Sequence, residues 1–174
     1  MKLKLSIKGF TLVELILVVG IIAILFTVAF MVLNPLGQFQ KANDTKRKSD
    51  LAQIQRALES YYQDNERYPR TTGAPSYCLQ HIVSPWPYYC GNSNWSPYMN
   101  LVPKDPKSSN RYVYYVSSDG QSYYIYANLE RGMKDPQACN SDGTACDRLT
   151  TLGISATACG GTCNYGVSSP NVSP

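Results

Sequence analysis

From Leu15 to Leu33 the chain carries no charge, and Thr27 is its only polar side chain. As a helix, Phe10 to Leu33 spans about 36 Å, enough for a bilayer core of roughly 30 Å. A run of that length is a membrane-spanning candidate, and it dictates what the rest of the chain can be. Lys2, Lys4 and Lys8 precede it, which fits retention of that end on the cytoplasmic side. One carboxylate, Glu14, lies within its first turns. A carboxylate inside a bilayer costs on the order of 2.5–3.5 kcal/mol, less near the interface, and is a functional candidate by default.

Gly9-Phe10-Thr11-Leu12-Val13-Glu14 resembles the processing signature of type IV pilins and type II secretion pseudopilins. The resemblance implies a prepilin peptidase that cuts between Gly9 and Phe10, and an N-methylated Phe10. It also implies a partner for Glu14, the new amine of Phe10 on a neighbouring subunit, which neutralises both charges and sets axial register. The bland alternative places Glu14 at the headgroup level, favoured by the helix dipole.

The chain then divides by pattern. Residues 1–9 read as a leader, 10–34 as a transmembrane or filament-core helix, 35–65 as an amphipathic helix and 66–174 as a globular head. Pro35 and Gly20 are the weak points of the first helix, through loss of a backbone donor and through conformational freedom. The family resemblance gives them a use as kinks; the plain reading is a helix end, with a new helix near Pro35. Leu36, Phe39, Leu51, Ile54, Ala57, Leu58, Tyr61 and Tyr62 form an apolar helical face, clear from Leu51 to Tyr62 and weak from Lys41 to Asp50. Lys41, Lys46, Arg47 and Lys48 against Asp44 and Asp50 read as a solvated face. The sharper reading is contact with neighbouring subunits or lipid headgroups.

In the head, Arg111–Ser117 and Gln121–Ala127 are rich in aromatic and β-branched residues, with Ser118-Asp119-Gly120 between them. They predict a hairpin packed over the Leu51–Tyr62 stripe, with a third strand from the terminal segment. The fold class is therefore α+β: a long N-terminal helix on a small antiparallel sheet, with disulfide-bonded loops. Six cysteines beyond a membrane span read as a disulfide framework outside the cytoplasm. Short, locally closed loops favour Cys78–Cys90, Cys139–Cys146 and Cys159–Cys163, although other connectivities remain open.

Net charge is +4, from sixteen Lys and Arg against twelve Asp and Glu. Removing Lys2, Lys4 and Lys8 leaves thirteen against twelve, or +1, so nucleic acid is not an expected partner. His81 is the only histidine, and no nucleophile–base pair, phosphate loop or metal-ligand motif accompanies it, so the chain does not read as an enzyme. No cofactor is expected. The resemblance raises calcium for Asp135, Asp142 and Asp147, but they lack an ordered oxygen-ligand pattern.

The function expected is a structural subunit of a type IV pilus-like filament. The alternatives are a secretion or competence pseudopilin, and a minor adhesive or DNA-capturing pilin. Pro103-Lys104-Asp105-Pro106 before a tyrosine-rich hairpin is similar to major pseudopilins. Lys107-Ser108-Ser109-Asn110, where that family has a Trp-Gly-Asn turn, and the long cysteine-bearing tail point towards a pilin. Implied partners are identical or related pilin subunits, the peptidase, an inner-membrane assembly platform and the membrane. The expected location is the cytoplasmic membrane, single-pass, before assembly and the cell surface or an extracellular filament afterwards.

Overall fold

The computed structural model describes residues 9–70, 79–80, 88–89 and 94–174. It divides into two compact units, one ending at Phe39 and one beginning at Gln40.

In the first unit, α1 runs Leu12–Leu33, unbroken through Gly20. Its window Leu12–Phe30 has a mean hydropathy of 2.9 and is wholly unburied. Thr27, the one polar residue after Glu14, donates its hydroxyl to the Ala23 carbonyl one turn back, so no hydroxyl is left unpaired on the apolar surface. Asn34 ends α1 in a left-handed conformation, φ 38° and ψ 67°. Asn is among the few residues that tolerate this region. The same Asn34 starts α2, Pro35–Asn65: its side-chain oxygen accepts from the Gly37 amide at 3.2 Å, and Pro35 fills the first helical position. The plain reading of a helix end followed by a new helix describes this junction.

In the second unit the chain makes two short paired strands, β1 (Leu79–Gln80) and β2 (Tyr88–Tyr89), antiparallel. A three-stranded antiparallel sheet follows: β3 (Val113–Val116), β4 (Tyr123–Ala127) and β5 (Tyr165–Ser168), with β4 central. Tyr114 faces Ile125 across the first pair, and Ile125 faces Val167 across the second. The hairpin and the terminal strand follow the sequence pattern, with strands slightly shorter than the aromatic runs.

Side chains alternate across the sheet as a period of two requires. Tyr114, Val116, Tyr123, Ile125 and Ala127 pack with Leu51, Ile54, Leu58 and Tyr61 of α2. Val113, Tyr124 and Tyr126 point the other way, into a second core with Leu149, Ile154, Cys159 and Cys163. The hairpin was expected to bury one face. The tail buries the other, so all of β4 is inaccessible.

The tail is held by local devices. Cys139 is bonded to Cys146, and Cys159 to Cys163. The Cys139 and Cys146 amides donate to the Asn164 and Cys163 carbonyls, both at 2.9 Å, which ties the two disulfide loops together. The buried Asn164 side chain accepts from the Leu129 amide and donates to its carbonyl, replacing a strand partner. Gly160 sits at φ 83°, where a Cβ would lie 2.0 Å from the Ser109 carbonyl oxygen. The tail thus closes directly on the 107–110 turn. Cys78, Cys90 and His81 lie outside the described residues.

Candidate functional site

Gly9 and Phe10 precede the first helical turn, and the Phe10 side chain is 81% exposed. Thr11 is the N-cap of α1. Glu14 closes a capping box: its Oε2 accepts from the Thr11 amide at 3.2 Å and from the Thr11 hydroxyl at 3.0 Å. The Thr11 hydroxyl in turn accepts from the Glu14 amide at 3.2 Å. Two otherwise orphaned donors at the helix end are satisfied, and a carboxylate sits where the helix dipole favours it. Glu14 thus stabilises its own helix start with a definite geometry, at the dipole-favoured end that the headgroup-level alternative also invokes. That geometry also holds the carboxylate one residue from Phe10.

The charge cluster of α2 requires a correction. It is solvated only in part: Lys41 and Lys46 are exposed, but Arg47 is 0% exposed and Asp44 and Asp50 are buried. Arg47 donates from Nε and Nη2 to the two oxygens of Asp105, at 2.8 and 3.0 Å, a two-pronged pair. Its Nη1 donates to Asp44 at 2.8 Å and to Glu130 at 3.0 Å. Asp44 also accepts from the Glu130 and Arg131 amides, both at 2.9 Å. Asp50 accepts from Lys46 and, at 2.7 Å, from the Tyr112 hydroxyl. One guanidinium thus joins α2, the Pro103–Pro106 stretch and the segment after β4.

The electrostatics follow from this geometry. Burial pulls the Arg47 pKa down, but the bonds to Asp105, Asp44 and Glu130 outweigh it and hold the guanidinium charged. Burial, then the bond to Asp50, pushes the Tyr112 hydroxyl well above the usual tyrosine value. For Glu130, burial raises the pKa, but Asn43 and Arg47 bring it below the ordinary carboxylate value. Asp135 is likewise depressed: burial opposes the shift, and the Lys48 ammonium, donating to both carboxylate oxygens at 2.6 Å, drives it.

This hub was missed in the sequence, although its phase was visible. Asp44 and Arg47 continue the spacing of Leu51, Ile54, Leu58 and Tyr61, alternating three and four residues. They lie on the buried stripe, as charged members of it. The partner signal was Asp105, held between two prolines.

The three aspartates raised for calcium are not brought together. Asp135 binds Lys48, Asp142 accepts from Thr144, and Asp147 accepts from Asn140. Among the described residues, no group of three or more His, Cys, Asp or Glu side chains converges on a metal position. A cavity of about 320 Å³ does lie beside the hub, lined by Lys41, Lys48, Arg131 and Lys134 together with Asp44 and Asp135.

An apolar, unburied N-terminal helix with a carboxylate in its capping turn, and a small α+β head on a second helix, define a pilin-like protein. The profile of the type II secretion system (T2SS), protein G family matches residues 34–143, more than half of the chain. The chain belongs to that family. It is 30% identical over 152 residues to the type II secretion system core protein G of Escherichia coli (strain K12), covering 85% of this chain and 92% of that protein. The Vibrio cholerae protein of the same name is 31% identical over 77% of this chain and 88% of its own length. That of Klebsiella pneumoniae is 35% identical over 66% and 76%. No solved structure matches significantly. These relatives carry the name of secretion subunits, the alternative reading of the sequence, and they belong to a structural rather than an enzymatic family. The profile match contains Arg47, Asp105 and Glu130 but stops before Cys146, so most of the second core layer lies beyond it.

Proposed function

We propose that this chain is the core pseudopilin of a type II secretion system, a subunit that polymerises through its N-terminal helix. The observation that carries this is the family match over residues 34–143, including the Arg47 hub, together with the exposed apolar helix α1. In this reading Met1–Gly9 is a leader removed by a prepilin peptidase, and α1 anchors the chain in the cytoplasmic membrane until assembly. Cleavage creates an amine on Phe10 next to the Thr11–Glu14 capping box. In the free subunit the carboxylate is occupied by Thr11; in the filament it pairs with the Phe10 amine of a neighbour. Exchange of one partner for the other keeps the carboxylate satisfied on leaving the lipid, where an unpaired charge is costly. Helix-to-helix burial of α1 then supplies the polymer's stability.

The test is deletion and complementation in cells that secrete through such a system, with the chain's mass measured. Deletion is expected to stop secretion and the wild-type chain to restore it, processed to Phe10 and methylated. Glu14→Ala is expected to be processed but not to restore secretion. A functional chain that retains Met1–Gly9, or secretion indifferent to the deletion, overturns the reading.

A further inference from the structure

The cavity beside the hub is lined by four cations and two carboxylates, and both carboxylates are already engaged. Asp44 is held by Arg47 and by two backbone amides, and Asp135 by Lys48 and the Gln137 amide. Lys41, Arg131 and Lys134 remain. Arg131 is near enough to Asp135 to help depress its pKa. Among the described residues, none of the three side chains donates a hydrogen bond. Lys41 and Lys134 are exposed and Arg131 is half-buried. The lining therefore has a surplus of positive charge, and its volume of about 320 Å³ is ample for a phosphate group.

Two features select the source of that anion. Lys41 follows Leu33 by eight residues, so the cavity is tethered within roughly 28 Å of the end of the apolar helix even with the chain fully extended. Met133 lies in the short turn Gly132–Lys134, with Lys134 next to it and Arg131 two residues before it, and is 74% exposed. An apolar tip between bases suits a bilayer interface better than an acidic protein surface, where the methionine gains nothing. We propose that this cavity binds the phosphodiester of an anionic phospholipid headgroup, with Lys41, Arg131 and Lys134 as its donors and Met133 in the interfacial layer. The proposal rests on the membrane-anchor reading, not on the choice of secretion machinery.

The test is native mass spectrometry of the full chain in neutral detergent. The chain is titrated with phosphatidylglycerol or phosphatidylcholine, with inorganic phosphate as competitor. Phosphatidylglycerol is expected to be retained in preference to phosphatidylcholine. Lys134→Gln should weaken it about five-fold, and the triple variant Lys41→Gln, Arg131→Gln, Lys134→Gln more than ten-fold. Arg56→Gln, an exposed cation of α2 outside the cavity, should change nothing. Lys134 is exposed, so its single variant reports on binding without threatening the fold. Equal retention by the triple variant overturns the proposal, as does an equal loss in Arg56→Gln. Binding of free phosphate with no preference between the two lipids also overturns it and leaves a soluble-anion site. Carbonate extraction of cell membranes separates the two readings. A chain that is extracted, and so not anchored, removes the membrane premise; an anchored chain that selects the lipid but restores no secretion fails only the proposed function.

Discussion

The two units solve opposite problems. In α1 every described large apolar side chain is exposed, from Leu12 at 73% to Phe30 at 57%, and the one carboxylate is satisfied within its own first turn. In the unit from Gln40 onwards the sheet is buried on both faces, and a fully charged arginine is sealed among three carboxylates. The apolar surface of the first unit is left uncovered among the described residues. Among the described residues, the second meets most of its buried polar groups from within, the Tyr126 hydroxyl excepted, and carries a cavity rich in cations. Interactions that complete a fold and interactions that await a partner are therefore separated along the chain. A variant should disturb one set without the other.

The sharpest break of that separation lies at Arg47. Arg47→Ala leaves Asp105 and Asp44 buried without their counter-charge, and is expected to destabilise the head by about 3–5 kcal/mol. Thermal or denaturant unfolding followed by circular dichroism measures it. A loss below about 1 kcal/mol would show that the hub is solvated after all.

The disulfides come next. Replacing Cys139 and Cys146 by Ser, or Cys159 and Cys163 by Ser, should cost about 2–2.5 kcal/mol per bond, because each closes a short loop. The same unfolding measurement, with and without reductant, checks this: reductant should lower the wild-type midpoint and affect each double variant less.

Acid should act more weakly. Glu130 and Asp135 have depressed folded-state pKa values, so their contribution is fully present above the unfolded carboxylate range near about 4 and is lost as pH falls through the folded values. Unfolding midpoints measured from pH 6 downwards should fall below about pH 4. The fall should shrink in Glu130→Gln and Asp135→Asn. A midpoint that rises on acidification would contradict the sign.

The smallest effect on the head is expected from Glu14→Ala. It removes a capping box from the other unit and should leave the head's unfolding midpoint unchanged within error, although the proposed function expects secretion to fail. Any large shift in that midpoint would end the separation of the two units.

Much of the architecture was readable because it rests on periodicity. A long uncharged run can satisfy its backbone in lipid only as a helix, and alternating aromatic runs around Ser118-Asp119-Gly120 form a hairpin. The motif that the resemblance reads as processing and assembly residues, Gly9, Phe10 and Glu14, is local, and the proposed function rests its cleavage and pairing steps on it. The long-range contacts were not. Whether Arg47 faces water or three carboxylates depends on Asp105 and Glu130, fifty-eight and eighty-three residues away. A helical charge cluster looks the same in either case. Nor did the tail's composition reveal that it covers the second face of the sheet. That depends on Gly160 meeting the Ser109 carbonyl and on Asn164 standing in for a strand. Local pattern, read from sequence alone, determined the elements and the long apolar helix. Only tertiary structure decided which charges are buried and which face of the sheet is closed, because burial is a property of groups brought together from distant positions.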